Sequence, residues 1–148
     1  MSYQSAAGYA GDLLATDAYR LLVGDATSTL IDVRTQAEWT YVGVPDLSSL
    51  GKIALFLEWQ SFPSMQIDGR FAARLSTMLE TGGVKRGAPL LFICRSGVRS
   101  RHAAIAMTSA GWAPSFNVSD GFEGPLDPWR HRSVVSGWKA GELPWAQT

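Results

Sequence analysis

The run Pro89-Leu90-Leu91-Phe92-Ile93-Cys94 constrains this chain more than any other feature. It has no polar face, so if it is a strand it must be covered on both sides, as a central strand of a parallel sheet is. Directly after it, residues 96–100 (SGVRS) read as a tight turn, and an Ala-rich segment reads as a helix running to about Ala110 and stopped by Gly111. A buried strand that hands over to a helix through a short turn is a building block of layered α/β folds.

The rest of the chain fits that frame. Residues 29–33 (TLIDV) and 52–59 read as further strands, and residues 116–118 as a short last one. Thr16 or Asp17 is placed to cap a helix through Leu22, with Gly24 near its end. Residues 34–39 fit a helical turn with Arg34 and Glu38 four apart on one side. Residues 42–52 read as a loop. Asp68 is placed to cap a helix from about Gly69 to Glu80, with Phe71, Leu75, Met78 and Leu79 as its apolar stripe and Gly82 and Gly83 at its end. Residues 1–11, small and polar, read as an arm. The stretch from Gly121, rich in Gly, Pro and Trp, reads as a loop and a short helix closing over the core. The expectation is a single domain over residues 1–148: an α/β three-layer sandwich with a mostly parallel sheet and helices on both faces.

Composition narrows the function classes. At 148 residues, with 46% hydrophobic and 18% charged, the chain can bury a core without metals or disulfides. No apolar run approaches the ~20 residues of a membrane span, so no membrane partner is expected. The N-terminal residues lack Lys, Arg and an apolar stretch and do not resemble a signal peptide, which makes the cytoplasm the expected location. Net charge is zero, but between Lys85 and Ser119 there are five bases and no acid. With only thirteen bases overall, that excess suits a small anion rather than nucleic acid. One Cys and two isolated His exclude an internal disulfide and predict no metal and no cofactor.

Cys94 is then the candidate nucleophile. Ligands of open α/β sheets bind beyond the carboxyl ends of the strands, where Cys94 lies. Its bland reading is a small buried hydrophobe. Against that stand its neighbours. The backbone N–H groups of Arg95, Ser96, Gly97, Val98 and Arg99 can form an anion-binding nest at the start of a helix, with Gly97 free to take the positive φ this needs. Arg95 and Arg99 add charge that would favour a thiolate and attract an anionic substrate. Arg99 is equally readable as a solvated first-turn residue, and Arg101 points further along the helix. His102, without an evident partner, reads as a packed or surface residue, and His131 as solvated. Trp39, Trp59 and Trp112 read as core, and Trp129, Trp138 and Trp145 as pins for the tail.

The loop CRSGVRS after LLFI, together with LIDVRTQAEW about sixty residues earlier, resembles the single-domain rhodaneses. The resemblance spans residues 12–145. It implies a five-stranded parallel sheet and a sulfurtransferase in which Cys94 takes a sulfane sulfur from an anionic donor such as thiosulfate, becomes a persulfide, and delivers it to cyanide, a thiol or a protein acceptor. It implies that Asp32 and Arg34 form a structural ion pair near the site, with Glu38 as a further partner. Two departures stand out: Gly43-Val44-Pro45-Asp46-Leu47 replaces the family's usual Gly-His-Ile-Pro-Gly-Ala, and a long stretch separates Gly124 from Trp138. Three alternatives remain open. A cysteine phosphatase requires Arg six positions after the Cys for a bidentate grip on phosphate, and that position holds Ser100. Arsenate reduction would need an external thiol to finish turnover. A non-enzymatic rhodanese-like binding or regulatory module would not need the Cys at all.

Overall fold

The computed structural model describes residues 3–147. In chain order the elements are β1 (Gln4–Ala6), β2 (Tyr9–Leu13), α1 (Ala15–Gly24), β3 (Thr29–Asp32), α2 (Gln36–Tyr41), β4 (Val44–Pro45), a 3-10 turn (Ser48–Leu50), β5 (Leu55–Phe56), α3 (Phe71–Thr81), β6 (Leu90–Ile93), α4 (Val98–Ser109), β7 (Ser115–Val118) and β8 (Trp145–Ala146). The main sheet runs β1-β2-β7-β6-β3-β5. Five of its six strands are parallel, and β1 joins antiparallel at the edge. The apolar run at β6 lies at the centre with every residue buried.

Side chains on a strand alternate between faces, and β6 sorts its residues accordingly. Leu91 and Ile93 pack with Ala18, Leu21 and Leu22 of α1 and with Phe122 and Trp138 of the tail. Leu90, Phe92 and Cys94 pack on the other side with Phe71, Leu75 and Leu79 of α3, Ala103, Ala104 and Met107 of α4, and Trp112. This is the three-layer α/β sandwich with helices on both faces. No helix among the described residues is long and apolar enough to cross a membrane.

Several local expectations are corrected. Within residues 1–11, the described part is not an arm: β1 and the start of β2 form a hairpin that extends the sheet by one antiparallel strand. Tyr9, Gly11 and Leu13 are its buried positions, an alternation masked by small and polar residues. α1 is not capped by Thr16 or Asp17. The Asp120 carboxylate, 105 residues away in sequence, accepts the Ala15 N–H at 2.8 Å. Burial pushes the Asp120 carboxyl up, against the hydrogen bonds from Ala15 and Gly137. Asp68 lies three residues before α3 and accepts from the Arg70 N–H, while Arg70 occupies the cap position. Residues 42–52 contain β4 and the 3-10 turn. No helix forms after Gly121 among the described residues; the tail ends in β8, paired antiparallel with β4. The Gly- and Pro-rich tail runs through turns and bends instead, and the partner strand of β8 was invisible in sequence.

Trp138 anchors the tail, fully buried, with its indole N–H donating to the Pro144 carbonyl at 2.6 Å. Trp145 is partly exposed under the Lys139 ammonium, and Trp129 is 79% exposed, so Trp129 does not pin the tail. Between Val118 and Trp138 the tail is bonded to the end of β6. The N–H of Phe122 reaches the Cys94 carbonyl at 2.8 Å, and those of Glu123 and Gly124 reach the Arg95 carbonyl. Gly121 is required there, because a Cβ would meet the Cys94 and Arg95 carbonyls. The strand end that carries the cysteine is therefore clamped by the tail.

Candidate active site

β6 ends at Ile93, and Cys94 follows it with 1% of its surface exposed. Residues 95–97 turn the chain, and α4 begins at Val98 after Gly97, whose φ is 100°. The turn is tight because Gly97 packs on the Ser119 carbonyl, which leaves no room for a side chain. Of the loop amides of residues 95–99, that of Gly97 donates to the sulfur, at 3.2 Å. The others make no hydrogen bond to it, so the nest expected from the sequence reduces to one amide in this conformation, reinforced by the N-terminal end of a twelve-residue helix. A second contact comes from Ser100 in the first turn of α4, with Oγ at 3.1 Å from Sγ.

The charged residues divide into two pairs. Arg34 is buried and grips Asp32: Nε lies 3.0 Å from Oδ1 and Nη2 2.8 Å from Oδ2. Nη2 also reaches the Gly43 carbonyl, and the guanidinium lies 4.2 Å from the Phe122 ring centroid. Asp32 and Arg34 thus brace the end of β3 against the following loop and the tail. Glu38 does not join them, although Arg34 and Glu38 are four residues apart. Arg34 precedes α2, whose N-cap is Thr35, so the two do not share a helical face.

Glu38 pairs instead with Arg99, sixty-one residues on. Arg99 donates from Nη1 to Oε1 at 2.7 Å and from Nη2 to Oε2 at 3.0 Å, a bidentate fork. Thr35 donates to the same carboxylate from its N–H and its hydroxyl, completing a capping box. Burial alone would raise the Glu38 carboxyl, but the Arg99 fork and the Thr35 donors outweigh it and hold the group at about 2. Burial would lower the Arg99 guanidinium, and Glu38 more than offsets this, with Cys94 and Asp32 adding to the upward shift. Arg99 is therefore a fixed cation beside the loop, neither a solvated residue nor a freely swinging one.

Arg95 is exposed, and Val98 is exposed on the first turn of α4. A cavity of about 470 Å³ opens beside the loop, with Arg95, Arg99, Glu38, Phe62, Met65 and Arg132 among its lining residues. Cys94 is not on its wall. A cavity of about 680 Å³ lies at Ser28, Thr29 and Lys52, by the N-terminal ends of β3 and β6, at the opposite end of the sheet from the sulfur. Among the described residues no group of three or more His, Cys, Asp or Glu is placed to hold a metal ion. His102 stacks on Trp59, ring centroids 6.4 Å apart, away from these contacts.

Sequence reasoning did not single out Ser100 as a sulfur contact, nor Asn117, Phe62, Met65 and Arg132. Ser100 carried a signal, six positions after the cysteine and one helical turn into α4. The others are brought in by the packing of β7 and of two loops, for which no local pattern exists.

A model of the rhodanese-like domain family matches residues 14–125. Uncharacterized proteins of Rickettsia rickettsii and Rickettsia conorii are 35% and 34% identical over 134 residues, covering 90% of this chain and 95% of each relative. Among solved structures, Rv0390 of M. tuberculosis superposes with a TM-score of 0.84 at 43% identity, covering 95% of this chain and 99% of that one. The polysulfide-sulfur transferase homodimer of Wolinella succinogenes superposes at 0.57 with 24% identity, covering 93% and 78%, a likeness of fold.

Proposed function

The chain belongs to the rhodanese-like domain family, and from that premise we propose that it is a sulfurtransferase with Cys94 as nucleophile and sulfur carrier. The observation that carries the reading is the sulfur at the end of the central strand, receiving the Gly97 N–H at 3.2 Å at the head of α4. A helix N-terminus and a donated amide place partial positive charge beside the sulfur. The donor is a small anion with a sulfane sulfur, such as thiosulfate. The Cys94 sulfur attacks the outer sulfur of the donor; the donor S–S bond breaks, sulfite leaves with its electron pair, and the thiol proton goes to solvent. The persulfide then passes its outer sulfur to cyanide, a thiol or a protein cysteine, which restores Cys94. No cofactor enters these steps.

Arg95 and Arg132 at the cavity draw in the anion, and Arg99 supplies a fixed positive wall. The Gly97 amide and the N-terminal end of α4 take up the charge of the persulfide. The cytoplasm is the proposed compartment, where a single thiol stays reduced. The phosphatase reading is disfavoured because position six is Ser100 and the Arg99 fork is already spent on Glu38. A binding module is the second reading, favoured by one observation: Cys94 is 1% exposed and off the cavity wall.

The test is intact-mass spectrometry after incubation with thiosulfate. A gain of about 32 Da, removed by cyanide and absent in a folded Cys94→Ser variant, is expected for a persulfide. No adduct with thiosulfate or polysulfide would leave the binding module as the reading. Turnover of an aryl phosphate without any adduct would move the chain to the phosphatases.

A further inference from the structure

Behind Cys94 runs a chain of buried polar groups that the sulfur-transfer scheme leaves unused. Ser100 Oγ is 3.1 Å from Cys94 Sγ and 2.6 Å from Asn117 Oδ1. The Asn117 Nδ2 donates to Asp12 Oδ1 at 3.0 Å and to the Gly97 carbonyl at 3.2 Å. Tyr9 donates its hydroxyl to the same Asp12 oxygen at 3.0 Å. Cys94, Ser100 and Asn117 are almost wholly buried, so protein groups alone must satisfy them.

The donors and acceptors fix where the protons lie. Both Nδ2 hydrogens of Asn117 face acceptors, so its amide cannot turn over without setting oxygen against oxygen. Its Oδ1 therefore faces Ser100, and the one hydroxyl hydrogen of Ser100 lies on the 2.6 Å line to it. The 3.1 Å contact between Ser100 and Cys94 is then made with the thiol as donor.

We propose that Asn117, locked by Asp12 and the Gly97 carbonyl, is a positioning residue that turns the Ser100 hydroxyl away from the sulfur and so holds the proton on Cys94 in the resting protein. On ionisation one proton leaves the sulfur for solvent, and Ser100 swings its own hydrogen from Asn117 to the charged sulfur. A short hydrogen bond to an amide is exchanged for one to an anion. The polar chain therefore sets how readily the nucleophile forms. This rests on Cys94 being the reacting group of the proposed function.

The charged and titratable groups bearing on this chain are Arg99 and Arg101 from α4, Asp12 and Tyr9 from β2, Asp32 from β3 and Glu38 from α2. α3 packs against the same side with apolar Phe71, Leu75 and Leu79. Substitution at 100 touches none of these, and substitution at 117 takes one donor from Asp12, an effect that the Ser100→Ala background below isolates.

Two measurements on the full chain test the proposal, and neither needs a sulfur donor. Cys94 is the single cysteine, so its S–H stretching band in the infrared reports one group. Ser100→Ala should move that band to higher wavenumber, the sign of a lost acceptor, and Ser100→Thr should restore it. Asn117→Ala frees the Ser100 hydrogen for the anion. The pH profile of iodoacetamide alkylation should shift to lower pH, with up to about tenfold faster reaction on its acid side, the worth of the Ser100–Asn117 hydrogen bond that ionisation no longer breaks. In a Ser100→Ala background the same substitution should change nothing. A shift that persists in that background, or an S–H band indifferent to Ser100→Ala, overturns the proposal. If Asn117→Ala does not fold, the infrared comparison decides alone. A chain that shows both effects and forms no persulfide would overturn the proposed function and leave this inference standing.

Discussion

Glu38→Gln tests whether the pair with Arg99 holds the start of α4 against α2. The substitution keeps the shape of the side chain and removes its charge. In the folded protein the carboxyl is held at about 2, against 4.5 when unperturbed. At about 1.4 kcal/mol per pH unit, that interval comes to about 3 kcal/mol as an upper figure. The Arg99 and Glu38 side chains are 15% and 20% exposed, so solvent screening removes a share and leaves about 2–3 kcal/mol. For a chain of this size the melting temperature should fall by about 5–10 °C. The sign follows from the direction of the shift: a carboxyl lowered by folding stabilises fully above its unfolded value of 4.5, and loses that contribution as pH falls towards about 2. Urea unfolding followed by Trp fluorescence should give the full gap between the two proteins at pH 7 and less than half of it at pH 3. An equal gap at the two pH values would refute the reasoning, because the loss would then be one of shape rather than charge.

Three other substitutions probe the frame around the sulfur. Gly97→Ala forces a Cβ into the Ser119 carbonyl at a φ of 100°, and is expected to cost about 2 kcal/mol or more and to slow Cys94 alkylation, read by urea melts and by the rate with iodoacetamide. Asp32→Ala leaves the buried Arg34 without its carboxylate and should destabilise by about 3–5 kcal/mol in the same melts; a loss under 1 kcal/mol would show that the Gly43 carbonyl and the Phe122 ring suffice. Trp138→Ala opens a large void on the α1 side of the sheet, with an expected loss of about 3–5 kcal/mol and faster amide exchange at Phe122 and Glu123, measured by hydrogen exchange.

Much of the frame could be read from sequence because its causes are local. Pro89-Leu-Leu-Phe-Ile-Cys94 has no polar side, so it could only be central, and Gly97 marks the turn that starts α4 at Val98. The stripe of Phe71, Leu75 and Leu79 faces the sheet as its spacing predicts. Asp32 and Arg34 are two residues apart, on the strand end and just beyond it, and their pairing follows the family pattern. By contrast, β8 spans two residues and takes its meaning from β4, a hundred residues away.

The sequence by itself determined that a lone cysteine ends the most buried strand and is followed by a glycine turn and a helix, because apolar patterning and glycine conformation act within a few residues. Only the tertiary structure decided which charges and hydrogens surround the sulfur. Glu38 was free on paper to pair with Arg34 and met Arg99 instead, and Ser100 met Asn117 of β7, itself held by Asp12 of β2. Directional contacts of this kind depend on how distant elements dock.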